Sequence, residues 1–101
     1  MSIRHELRPF QLEVPVRGRS ESGAPEVSYT QAGTLLCAVL ERSGGFEDGE
    51  VYFEHQTVLC PKKDALQPEY RLRDGGRLYT VEEAVSVRRW CVAHCRSEVT
   101  V

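Results

Sequence analysis

Asp74-Gly75-Gly76 stands between two runs in which apolar and polar residues alternate: Tyr70-Arg71-Leu72-Arg73 before it and Arg77-Leu78-Tyr79-Thr80-Val81 after it. Glycine tolerates positive φ, so an Asp-Gly step between alternating runs is a strong β-hairpin signal. Period-two alternation puts successive side chains on opposite faces, which commits this stretch to a sheet with one buried face. The same rhythm occurs upstream, where Phe10, Leu12, Val14 and Val16 interleave with Gln11, Glu13 and Pro15. Pro9 and Pro15 set that strand at a sheet edge or keep it short, because proline has no N–H to give a ladder.

Val51 to Cys60 carries Tyr52, Phe53, Thr57 and Val58, residues at home in strands. Thr34 to Leu40 fits a short helix or a buried strand on periodicity alone. We prefer the strand, because Gly33 precedes it and Ser43-Gly44-Gly45 stops it. Glu82 to Ser86 reads as a connection, and Val87 to Val101 as one long strand or two, broken near Arg96-Ser97. Three polar segments rich in Gly, Ser or Pro, near 17–26, 43–50 and 61–69, are expected to be mobile loops. About five to seven strands with turn signals at regular spacing predict an all-β fold, a small barrel or sandwich. Its 101 residues are the length of a single domain, residues 1–101.

A net charge of −2 argues against a dedicated binder of nucleic acid or anionic membrane. The longest apolar stretch, Leu35 to Leu40, falls far short of the roughly 18 residues a spanning helix needs. The first residues carry no basic segment leading into an apolar core, so no secretory signal is expected and thiols are the expected state of Cys37, Cys60, Cys91 and Cys95. Cys37 and Cys60 sit among apolar neighbours and read as core residues. Cys91 and Cys95, with His94 between them, are the weak candidates for a metal site, but no closely spaced second ligand pair accompanies them. On a strand, Cys91, Ala93 and Cys95 would share one face and His94 the other, which is the core reading.

No catalytic constellation can be named. Cys60 and His55 lie five positions apart, on opposite faces of a regular strand. Gly44-Gly45 and Gly75-Gly76 lack the framing of a phosphate loop and read as turns. No enzyme activity and no cofactor are therefore expected. Glu47, Asp48 and Glu50, beside the solitary aromatic Phe46, form an acidic segment without the calcium-loop pattern. Arg71, Arg73 and Arg77 form a basic one: Arg71 and Arg73 share a face, and Arg77 could align with them across the turn. That basic group could serve a subunit contact, a wet sheet face or, with Tyr70 and Tyr79 as stacking platforms, a nucleic-acid surface.

The second half of the chain resembles the head–tail joining proteins (head closure or head–tail adaptor) of long-tailed bacteriophages and prophages. The residues that carry the likeness are His55-Gln56-Thr57-Val58-Leu59, the hairpin Tyr70 to Val81, and Val87-Arg88-Arg89-Trp90-Cys91-Val92-Ala93-His94-Cys95. Gly76-Arg77-Leu78-Tyr79-Thr80-Val81 fits the Gly-Arg-hydrophobic-Tyr-x-hydrophobic strand of that family closely. The N-terminal half follows the expected order of a first strand, a Ser/Gly loop and Thr34 to Leu40. The tryptophan often seen before the second strand is absent there, with Tyr29 the nearest substitute. The resemblance implies a ring-forming β-barrel in the virion neck, assembled in the host cytoplasm. It would dock below the portal and adaptor, help retain packaged DNA with only non-specific contact to it, and offer a surface to the tail. Head-to-tail rings need two different complementary faces per copy. Phe46, Glu47, Asp48 and Glu50 on one side and Arg71, Arg73 and Arg77 on the other are the candidate interface residues. A tail terminator, which more often packs a helix on its sheet, is the neighbouring alternative. A small nucleic-acid-binding barrel and a zinc-stabilised module on Cys91 and Cys95 are the alternatives of other classes.

Overall fold

The alternation resolves into an inside and an outside. A computed structural model describes the backbone of residues 7–48, 51–61 and 66–100 and the side chains of 7–40, 53–61 and 66–98. Its strands are β1 (Arg8–Arg19), β2 (Pro25–Asp48), β3 (Val51–Pro61), β4 (Arg71–Asp74), β5 (Arg77–Val87) and β6 (Trp90–Thr100). They form a closed antiparallel barrel in the order β1-β2-β3-β6-β5-β4, as the all-β reading expects, and of its two architectures the barrel is the one adopted. Closure runs through three cross-strand pairs, Gln11 with Arg73, Leu12 with Leu72 and Glu13 with Arg71. The hairpin that opened the sequence argument is β4–β5: Asp74 faces Arg77 across Gly75-Gly76, and Gly75 takes φ +60°.

The inward set is read off the strands at period two. On β6, Cys91, Ala93, Cys95 and Ser97 are buried while His94, Arg96 and Glu98 are exposed. On β3, Gln56, Val58 and Cys60 point in, and register sets them opposite Cys95, Ala93 and Cys91. Phe10 and Tyr79 meet inside with ring centroids 5.6 Å apart. Leu72, at full burial, stands at the β1–β4 seam. Burying a large apolar side chain such as Phe10, Val58 or Leu72 contributes about 1.5–3 kcal/mol of transfer free energy relative to exposure.

Several local expectations are corrected. The segment near 17–26 is mostly strand, with a turn only between Arg19 and Pro25, closed by Gly23 N–H to the Ser20 carbonyl (2.9 Å). Gly33 does not begin β2, nor do Ser43-Gly44-Gly45 end it. β2 runs through both, because bulges absorb the glycines: the β1–β2 register shifts between Gln11 and Glu13, and the β2–β3 register shifts between Ser43 and Gly45. The segment near 43–50 is therefore β2 as far as Asp48, while 49 and 50 lie outside the described residues. Of the segment near 61–69, residues 62–65 lie outside the description, Pro61 ends β3, and Leu66 is buried in the core, so its solvated character holds only for Gln67 to Glu69. Glu82 to Ser86 belongs to β5, with a bulge between Val81 and Glu83, and β6 is unbroken at Arg96-Ser97. Where strand replaces an expected loop, the backbone hydrogen bonds of a neighbouring strand outweigh the local preference of Gly, Ser or Glu, and Leu66 is drawn in by apolar burial instead.

Candidate interaction surfaces

The arginines of β4 and β5 divide between the two faces. Leu72 points in, so Arg71 and Arg73 point out. Arg73 Nε donates to Glu13 Oε2 on β1 at 3.0 Å, a charged clasp over the closing seam. Arg71 lays its guanidinium over the Tyr29 ring, 3.7 Å from the centroid, and its buried Nε has no hydrogen-bond partner among the described residues. Arg77 shares the inward parity of Tyr79, does not align with the other two, and reaches Glu54 of β3 at 3.7 Å. The expected single basic face is thus two charges outside and one at the barrel's inner end. Arg8 and Asp74, 2.7 Å apart, add a further exposed pair at this edge.

That inner end is polar. Gln56 Nε2 donates to Glu54 Oε2 at 3.4 Å, and register places Glu54 beside Ser97 and Ser97 beside Tyr79. Gln56 Oε1, Ser97 Oγ and Arg77 Nη1 are buried without hydrogen-bond partners among the described residues. Such a cluster is costly unless it finds partners, which makes it the least well satisfied part of the interior.

Tyr79 is 1% exposed and packs on Phe10, so it cannot stack a base, and Tyr70 is half-buried against the core. The nucleic-acid platform read from the sequence is therefore not assembled. Cys60 and Cys91 are opposite one another inside the barrel and are close enough for their thiols to hydrogen-bond. Burial raises the Cys91 thiol pKa, and the nearby Cys60 raises it further. Burial, then the charge of Glu82, pushes Cys95 up to about 12. Metal ligation uses the thiolate, the form that this burial disfavours. Among the described residues, no group of three or more His, Cys, Asp or Glu is placed to hold a metal ion. His55 points outward, its Nδ1 3.4 Å from Glu82 Oε1, and stays on the opposite face from Cys60. Phe46, Glu47 and Asp48 lie on β2, paired in register with Phe53, Tyr52 and Val51; their side chains and the whole of Glu50 lie outside the described residues.

The structure adds a feature that composition did not mark. Among the described residues, β1 beyond Glu13 pairs with β2 alone, and β2 up to Cys37 pairs with β1 alone. Val14–Arg19 and Pro25–Gln31 thus form a two-stranded arm extending from the barrel. Glu69 anchors it. The Tyr29 hydroxyl donates to the Glu69 carbonyl at 3.2 Å, and Arg17 pairs with the Glu69 carboxylate. Glu69 sits at φ +77°, a left-handed conformation rare for glutamate, from which its N–H reaches the Val81 carbonyl at 2.8 Å. Tyr29 and Val27 alternate with Ser28 and Thr30, so a strand signal existed there; partners 40 and 52 positions away left no local trace.

A closed, six-stranded antiparallel barrel carrying a strand-pair arm is the class that these observations define. The fold is similar to that of a chain from the virion of a native gene transfer agent (GTA) particle. The two are 21% identical, the likeness covers 94% of this chain and 97% of that one, and the TM-score is 0.78. No protein-family model matches the chain, and no curated protein does.

Proposed function

We propose that the chain is a structural component of a phage or phage-like virion, acting at the neck as a head closure or head–tail joining protein. Copies form a ring below the portal and adaptor, help retain packaged DNA, and present a surface to the tail. The observation that carries this reading is a likeness over nearly the full length of both chains to a component of a virion particle. Its support from the sequence is the family-like hairpin Gly76 to Val81 and the cysteine-bearing final strand. No helix is present among the described residues, which suits a joining protein better than a terminator. The work is mechanical: a rigid barrel holds contact-making segments in place. Outside the barrel, Arg71 and Arg73 serve as rim charges toward a neighbour, with Phe46, Glu47, Asp48 and Glu50 as the opposing set.

The test is deletion of the gene from a particle-producing genome. We expect filled heads that lose DNA and carry no tails in electron micrographs, and the chain in purified wild-type particles by mass spectrometry. Tailed, infectious particles from the deletion strain would refute the proposal.

A further inference from the structure

Closing a sheet into a barrel removes its edges, yet among the described residues stretches of β1, β2 and β5 have a strand neighbour on one side alone. β1 from Val14 to Arg19 is open on the side away from β2. β2 from Glu26 to Gln31 is open on the side away from β1. β5 from Glu83 to Val87 is open on the side away from β6, because β4 pairs only as far as Thr80 and Tyr70 takes Val81 alone. Open edges are templates for another chain, and proteins ordinarily blunt them with proline or charge. The β1 edge is blunted: Pro15 has no N–H, and Arg17 and Arg19 flank it. The other two carry less, one carboxylate each at the first residue, Glu26 and Glu83. Glu-Val-Ser-Tyr-Thr-Gln and Glu-Ala-Val-Ser-Val contain no proline and no basic residue, and Val27, Val85 and Val87 are 48%, 43% and 50% exposed.

We propose that these two edges join between copies: Glu26–Gln31 of one copy adds as an antiparallel strand to Glu83–Val87 of the next. The inference deepens the ring reading above and rests on it. Charge selects the direction. Glu26 and Arg88 are both exposed and have no ion-pair partner among the described residues. An antiparallel register with Val27 opposite Val87 brings Glu26 to Arg88, Tyr29 to Val85 and Gln31 to Glu83. A parallel alignment of the two segments end to end would set Glu26 beside Glu83, two like charges, and would leave Arg88 away from Glu26. Main-chain hydrogen bonds supply the affinity and the valine contacts the register. Because the edges differ, each copy offers one and accepts on the other, the head-to-tail contact that closes rings. Arm anchoring through Glu69 holds β2 in place for this pairing.

The test mixes full-length Val27→Cys protein with full-length Val87→Cys protein under mild oxidation and follows covalent dimer on non-reducing gels. The four native cysteines are buried. Val16→Cys, on β1 and 45% exposed, replaces Val27→Cys as the control. We expect the Val27–Val87 dimer to form at least about tenfold faster than the control, because pairing raises the effective concentration of the two thiols. Arg88→Glu in the second protein should abolish that advantage, and Glu26→Arg in the first should restore it. A rate equal to the control, or no recovery in the charge-swapped pair, overturns the proposal. Sedimentation velocity separates the two readings: self-association that persists without this cross-link sinks the edge pairing alone, whereas the neck reading fails if the deletion strain still makes tailed, infectious particles or if purified particles lack the chain.

Discussion

Cys95 holds its proton to about pH 12 in the fold and to about 9 when exposed, because the barrel interior disfavours a thiolate. The sign follows from which state binds the proton more tightly. Below pH 9 both states are protonated and the full stability is present. Above it the unfolded chain ionises first, so stability falls by about 1.4 kcal/mol per pH unit until the folded thiol also titrates. Urea unfolding at pH 7.5 and pH 10 in reductant should show this loss, and Cys95→Ala should flatten it while lowering stability at both pH values. An equal loss in the variant would show that another group is responsible; Cys91, raised in the same direction, is the next to replace. Ser97 gives a second residue-scale expectation. Its buried hydroxyl has no partner among the described residues. Removing an unsatisfied polar group returns its desolvation cost, of order 1–3 kcal/mol. Ser97→Ala is expected to be neutral or stabilising in thermal melts, and a loss above about 1 kcal/mol would mean that the hydroxyl is bonded in solution.

Individual strands depend on glycines in different ways. A Cβ at Gly75 or at Gly33 would meet nothing within 4 Å, so substitution costs only backbone energy. Gly75 is at φ +60°, inside the left-handed region that other residues can enter for about 1–2 kcal/mol. Gly33 is at φ +112°, outside it, at the bulge that lets β2 continue past β1. Gly33→Ala is therefore expected to cost more than Gly75→Ala, about 2–3 against about 1 kcal/mol by chemical denaturation. Equal costs would argue that the bulge relaxes. This is also the scale at which the sequence was read least well. Gly33, Gly44 and Gly45 looked like strand ends. A glycine at a bulge and a glycine at a turn have the same local chemistry, and only the partner strand distinguishes them.

For the whole molecule, the decisive joint is the short β1–β4 seam. Leu72, fully buried, pairs with Leu12 there, and Arg73–Glu13 clamps it from outside. Leu72→Ala leaves a cavity at the point of closure and is expected to cost about 2–5 kcal/mol. Against a total of about 5–15 kcal/mol, that brings the chain close to unfolding at 37 °C. Arg73→Ala, which leaves the largely buried Glu13 carboxylate without this partner, should cost less, about 1–3 kcal/mol. Denaturant midpoints compare the two, and a larger loss for Arg73→Ala would reverse the assignment of core and clamp. The barrel is held by strand-to-strand pairing, and closure joins Gln11 to Arg73 across most of the chain. Such non-local pairing predicts folding on the millisecond-to-second scale, measurable by stopped flow.

What the residues determined alone was the strand character and the sidedness. Alternation is a local property, so Cys91, Ala93 and Cys95 of β6 could be assigned to a core before any partner was known, whereas Tyr79, offered by the sequence as a stacking platform, needed Phe10 to place it inside. The Asp74-Gly75-Gly76 hairpin was legible for the same reason. Tertiary structure decided what depends on distant partners. It chose a barrel over a sandwich, placed Arg77 at the barrel's inner end and Arg71 on Tyr29, turned two of the three expected loops largely into strand, and left the β2 and β5 edges open among the described residues. Side-chain parity is set within a strand, whereas pairing, closure and charge matching are set between strands that meet only when the chain has folded.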